Sequence, residues 1–126
     1  MLSTPEEVCY RRFEVHQQDG ACIVRFGDSE LCSIAITAEL NDELIQLIES
    51  RLPRAIIFDL SEVQICSTGI ISILLRTRRR LQVYGGRVLL CGLSQHVRHS
   101  FEMLQLDAHI FPLHDNWLDA LSELSA

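Results

Sequence analysis

Ile56-Ile57-Phe58-Asp59-Leu60-Ser61-Glu62-Val63-Gln64-Ile65-Cys66-Ser67-Thr68-Gly69-Ile70-Ile71-Ser72 decides how this chain folds. Ala55 to Leu60 is apolar on both faces, the pattern of a central strand covered by helices on at least one side. Asp59 to Gln64 supplies a short polar turn. Ser67 and Thr68 then offer hydroxyls where a helix should begin, since Ser and Thr accept from the free N–H groups of a first turn.

Downstream, Thr68 to Val83 predicts a helix. Ile70, Ile71, Leu74, Thr77, Arg78 and Leu81 fall on one side; Ser72, Arg76, Arg79 and Val83 fall on the other. Gly85-Gly86 ends it. Arg87 to Leu93 is a second apolar strand, so strand, helix and strand form a right-handed unit with parallel strands. Ser94 caps a third helix whose inner edge is Val97, Phe101 and Leu104. His109 to Phe111 reads as a short strand stopped by Pro112. Asp115 then caps a last helix with Leu118, Leu121 and Leu124 inward.

Upstream, Phe13 to His16 and Ala21 to Phe26 read as strands, and Asp19-Gly20 between them is a tight hairpin signal. An extended piece, Glu30 to Ser33, follows. Ser33 or Thr37 caps a helix with Leu40, Leu44, Leu47 and Ile48 inward, ending near Ser50 ahead of Pro53. The order predicts one α/β domain over residues 1–126, a mixed sheet with about four helices packed mainly on one face. Residues 1–10 are expected to be weakly ordered.

The composition excludes several classes. At 48% hydrophobic, the 126-residue chain has enough apolar content for a core. Met1 to Glu7 lacks a signal-peptide pattern, and the apolar runs are too short for a membrane span, so a cytoplasmic protein without a membrane span is expected. The five cysteines (9, 22, 32, 66 and 91) are odd in number and form no CxxC pair, which predicts reduced thiols rather than a disulfide framework. The histidines are dispersed, so no metal site and no cofactor is expected. Net charge is −6 but uneven: Val63 to Phe101 carries six arginines and no acid, leaving five arginines against 17 acids elsewhere. Such a chain is a poor nucleic-acid binder, yet it can present a cationic face to an acidic protein or a phosphate.

The stretch Phe58 to Gly69 resembles the central motif of STAS domains, the bacterial anti-sigma factor antagonists, which read roughly Asp-Leu-Ser-x-Val-x-Phe-Ile-Asp-Ser-Ser/Thr-Gly. The likeness continues through Arg80 to Val88, Val97 to Leu106 and Phe111-Pro112-Leu113. It covers at least Ala55 to Leu124. What it implies is a non-enzymatic partner switch in transcription control. The unphosphorylated form binds an anti-sigma factor that is also a serine kinase, phosphorylation of the motif serine releases it, and a phosphatase resets the cycle. The matching serine is Ser67, the phosphorylation candidate. A helix start tolerates phosphate, and the added charge of about −1.5 to −2 opposes docking on an apolar or acidic surface.

Cys66 stands where the family has Asp before the serine. Cys32, in Ser29-Glu30-Leu31-Cys32, aligns with a second family aspartate. The expected partner-binding set is Cys32, Cys66, Ser67, Thr68, Gly69, Ser72, Arg76 and Arg79, with no catalytic residue. A phosphorylation-independent STAS adaptor in a transport or signalling complex is the alternative. An enzyme with Cys66 or Ser67 as nucleophile ranks last, because no base lies beside either in sequence. Asp59 is expected to shape a turn. Two small, half-buried residues, rather than a redox pair, are expected at Cys32 and Cys66.

Overall fold

The computed structural model describes residues 13–106 and 110–125. The weak order expected of residues 1–10, and His109 of the expected late strand, lie outside that range. The chain runs β1 (Phe13–Gln18), β2 (Ala21–Phe26), β3 (Glu30–Leu31), α1 (Ile34–Arg51), β4 (Ala55–Asp59), β5 (Ile65–Cys66), α2 (Thr68–Val83), β6 (Arg87–Cys91), α3 (Gln95–Met103), β7 (Leu113–His114) and α4 (Trp117–Ser125).

The hairpin forms as its turn residues demand. Asp19 and Gly20 both take positive φ, 55° and 82°, and β1 pairs antiparallel with β2 from Phe13↔Phe26 to Gln18↔Ala21. The main sheet has the order β1-β2-β4-β6-β7, with β2, β4, β6 and β7 mutually parallel. The apolar strand β4 therefore lies in the middle, buried along its whole length.

Alternation on β4 divides the core. Ile56 and Phe58 join Phe26, Leu44, Ile70 and Phe101 on one face, under α1, α2 and α3. Phe26 and Phe58 stack there with centroids 5.8 Å apart. Ala55 and Ile57 join Ile23, Leu89, Cys91 and Leu121 on the other face, under α4. Three helices thus share one face and the fourth covers the other. Each fully buried Leu, Ile or Phe contributes about 1.5–3 kcal/mol, so this burial holds the layers together. The inner side chains Ile70, Ile71, Leu74, Thr77 and Leu81 of α2 are buried, and Ser72, Arg76, Arg79 and Val83 are exposed, as the spacing predicts.

Four local expectations are corrected. Leu104 does not face inward: α3 stops at Met103, Leu104 is its C-cap, and the chain turns at Gln105 with φ 57°, leaving Leu104 exposed. The late strand lies after Pro112 rather than before it, because the Pro112 carbonyl accepts from Leu90 N–H and the His114 carbonyl from Gly92 N–H. Asn116 caps the last helix in place of Asp115, its Oδ1 accepting from Asp119 N–H at 2.9 Å. Leu118 points outward, while Ala120 and Leu121 are buried and Trp117 and Leu124 pack beside them. Near the middle of the chain, the loop expected after β4 contains β5, which pairs parallel with β3 as a separate two-stranded ribbon.

Candidate functional site

The ribbon sets the site. Leu31 and Cys66 are Cα partners, and Ser67 N–H donates to the Leu31 carbonyl at 2.9 Å. One strand leads through Cys32 into Ser33, the N-cap of α1; the other leads straight into Ser67, the N-cap of α2. Each serine is extended, and each hydroxyl oxygen accepts from the backbone N–H three residues on: Ile36 at 3.0 Å and Ile70 at 3.3 Å. The two starts are neighbours, for a Cβ added at Gly69 would meet Ser67 Oγ at 3.7 Å and Thr37 Cγ2 at 4.0 Å. Neither helix has an acid in its first turn, so nothing there compensates the positive end of its dipole.

The expected site residues are mostly brought together at this end. Ser67 is half-buried; Cys32, Thr68, Gly69 and Ser72 are exposed around it or one turn along α2, with Arg76 and Arg79 further along the same outer face. Cys66 is the exception among the expected contacts. It is buried with the main core, and burial pushes its thiol up to about 12, so it backs the surface instead of forming it. Leu31 and Cys66 are buried while Cys32 is exposed, which places the two cysteines on opposite sides of the ribbon. Neither is half-buried as the sequence suggests: Cys66 is buried and Cys32 is exposed.

Two residues that the sequence reading missed belong to the surface. Ile34 opens α1 with 89% of its area exposed, and Ile65 on β5 is 41% exposed. Their signal was an apolar side chain directly after a helix cap and one directly before a buried strand end. Neither has a place in a core stripe. On the other side of β5, Gln64, Ser94, Gln95, His96 and His99 line an open depression.

Asp59 behaves as the sequence suggests. It is buried at the end of β4, its Oδ1 accepts from Ser61 N–H at 3.0 Å to shape the turn, and its Oδ2 takes an ion pair from Arg25 at 3.0 Å. Among the described residues, the hydroxyl oxygen of Ser67 has one hydrogen bond, from Ile70 N–H, and no histidine or carboxylate contacts it. Cys22, Cys32, Cys66 and Cys91 are all free thiols, no group of three potential metal ligands gathers, and no helix is long and apolar enough to cross a membrane, among the described residues.

A parallel-centred sheet with two serine-capped helices opening beside a short ribbon defines a single α/β domain of mixed topology. The model of the STAS domain family matches residues 12–120, and the chain belongs to that family. Its structure is similar to an anti-sigma-factor antagonist (STAS) domain protein from Planctomyces limnophilus, with TM-score 0.81, 15% identity, and coverage of 92% of this chain and 100% of that one. An anti-sigma factor antagonist from Mycobacterium paratuberculosis is 24% identical over 99% of this chain and 100% of its own, with TM-score 0.76. The antagonist SpoIIAA is similar in both its solved states. The unphosphorylated form gives TM-score 0.76 at 15% identity over 90% of this chain and 96% of that one. The phosphorylated Bacillus form gives 0.69 at 16% over 89% and 98%. No curated protein matches the chain by sequence.

Proposed function

We propose that this chain is a partner-switching module of the anti-sigma factor antagonist kind. It docks an anti-sigma factor, or a related serine-kinase-type protein, through the surface around Ser67, and phosphorylation of Ser67 releases it. The observation that carries this reading is the half-buried Ser67 hydroxyl at paired helix starts that also carry two exposed apolar side chains, Ile34 opening α1 and Ile65 two residues before Ser67. Burying those isoleucines against a partner favours binding at about 25 cal/mol per Å² of apolar surface. A phosphate beside them brings about −1.5 to −2 charge into the same contact and opposes its desolvation. The free first-turn N–H groups of α2 can hold that phosphate in place. A phosphatase would reverse the step.

Incubation with anti-sigma-type serine kinases and ATP, followed by intact-mass and peptide mapping, tests the switch. One added phosphate at Ser67 is expected, and partner recovery by the Ser67→Asp protein should fall below wild type. Binding of such a kinase with no transfer to Ser67 would instead favour the phosphorylation-independent adaptor. That second reading draws support from the thiols at 32 and 66, which take the places of two carboxylates of the family motif. For an enzymatic role, burial holds the Cys66 thiol neutral, and among the described residues no side-chain base hydrogen-bonds the Ser67 hydroxyl.

A further inference from the structure

Among the described residues, the arginines fall into two groups. Arg25 pairs with Asp59, Arg87 with Glu123, Arg51 donates to the Gln17 side chain, and Arg54 donates to the Asp19 carbonyl. Arg76, Arg78, Arg79, Arg80 and Arg98 have no ion pair or side-chain hydrogen bond among the described residues. All five lie in the acid-free segment from Val63 to Phe101. Arg76, Arg79 and Arg80 are exposed on α2. At 100° per residue, Thr68, Ser72, Arg76 and Arg79 project within one quadrant of the helix, so these cations continue the outer face that starts at Ser67.

Helix geometry alone does not account for them. Arginines near a C-terminus complement the dipole, but its influence fades beyond the last turn, and Arg76 sits seven residues before the end of α2 at Val83. Like charges at i,i+3 and i,i+4, as for Arg76 with Arg79 and Arg80, are mildly unfavourable to an isolated helix. An external counter-charge offsets that repulsion. At the head of the same face, three features keep negative charge low: α1 and α2 have no first-turn acid, thiols occupy positions 32 and 66, and the ribbon carries a single carboxylate, Glu30, opposite Ile65.

We infer that the face running from Ile34 and Ile65 past Ser67 to Arg76 and Arg79 docks a protein surface that is apolar at its centre and acidic at one side. The inference rests on reading this face as the docking surface and specifies the chemistry of the partner. Carboxylates of the partner take the planar guanidinium groups, with two-point contacts that lysine could not make. The arginine side of the contact sets orientation and encounter rate, and the isoleucines supply the dry centre. The same electrostatics explains how a phosphate at Ser67 acts: it stands beside the isoleucines of the dry centre, close to the acidic side of the partner, and repels it.

The experiment uses the full chain and a deca-glutamate peptide as probe, with deca-glutamine as control, followed by amide and arginine side-chain NMR shifts at low salt. Saturable shifts confined to α2, lost in Arg76→Glu and Arg79→Glu and kept in Arg54→Glu at the far end of the sheet, are expected. Each α2 reversal should weaken binding at least about tenfold, and raising salt from 50 to 200 mM should weaken wild-type binding while leaving deca-glutamine silent. No saturable binding, equal effects of Arg54→Glu and Arg76→Glu, or tighter binding to a 20-base-pair DNA duplex than to the peptide would overturn the inference. Thermal unfolding of each variant keeps misfolding separate from lost contact. Failure of Ser67 to accept phosphate would remove the switch and leave this result standing.

Discussion

Ser67 and Leu31 are joined by one backbone hydrogen bond, from the Ser67 N–H to the Leu31 carbonyl at 2.9 Å. That bond extends the β3–β5 pairing by one residue and delivers Ser67 to the first turn of α2, where its hydroxyl accepts from Ile70 N–H. The serine thus closes a ribbon with its backbone and a helix with its side chain.

The capping role predicts a separation between two substitutions. Ser67→Ala removes the acceptor for Ile70 N–H and should cost about 1 kcal/mol of stability. Ser67→Asp keeps a good cap and should melt within a few degrees of wild type while losing partner binding. Thermal melts run beside pull-downs check this, and equal stability loss in both variants would refute the cap as the reason.

Cysteine reactivity should follow burial. Cys66 and Cys91 are pushed up to about 12, and Cys22 is also raised, in each case chiefly by burial. In a Cys9→Ser background at neutral pH, iodoacetamide should label Cys32 and leave the other three unmodified until denaturant is added. Unfolded, these thiols ionise near their ordinary value of 9.0, so stability should also fall as pH climbs above 9 toward their folded values. Rapid labelling of native Cys66 would contradict the placement of its side chain.

Gly92 closes the turn that Asp59 organises. Its φ is +72°, and an added Cβ would meet Ser61 Cβ at 3.0 Å and Asp59 Oδ1 at 3.2 Å. Gly92→Ala should therefore destabilise by about 1–3 kcal/mol. Gly27→Ala, whose Cβ would meet nothing within 4 Å, should stay within about 0.5 kcal/mol of wild type. Chemical denaturation midpoints decide it, and equal midpoints for the two variants would count against the strain.

Acid stability should carry a signature of α4. Desolvation tends to raise the Glu123 carboxyl, but hydrogen bonds from Arg87 and His114 outweigh it and hold the group below its ordinary 4.5. A lowered carboxylate stabilises the fold above its unfolded value, and that stabilisation disappears as pH falls through the folded one. At 31% exposure the side chain is screened, so the effect should stay below about 1 kcal/mol. Denaturation midpoints between pH 6 and pH 3 should fall more steeply for wild type than for Glu123→Gln, and parallel curves would remove the pair from the account.

Local signals carried most of the fold. Asp19-Gly20, the unbroken apolar run of β4 and the serine caps each act over a few residues, so their consequences could be read directly. The β3–β5 ribbon could not, because each strand is two residues long and the partner lies 35 positions away. Leu104 and Leu118 misled for a related reason: periodicity gives the side of a helix, while the end of the helix and the reach of its neighbours decide coverage. The cap at Ser67 was legible from its position ahead of the helix. Ile34 and Ile65 were not, since only the three-dimensional edge of the core shows that an isoleucine has nothing above it.

The ribbon contributes two buried side chains, Leu31 and Cys66, to the interior, and its other members face outward. A bracket so small is held to the interior through those two positions, so its outward members can be exchanged without any strand of the main sheet being refitted.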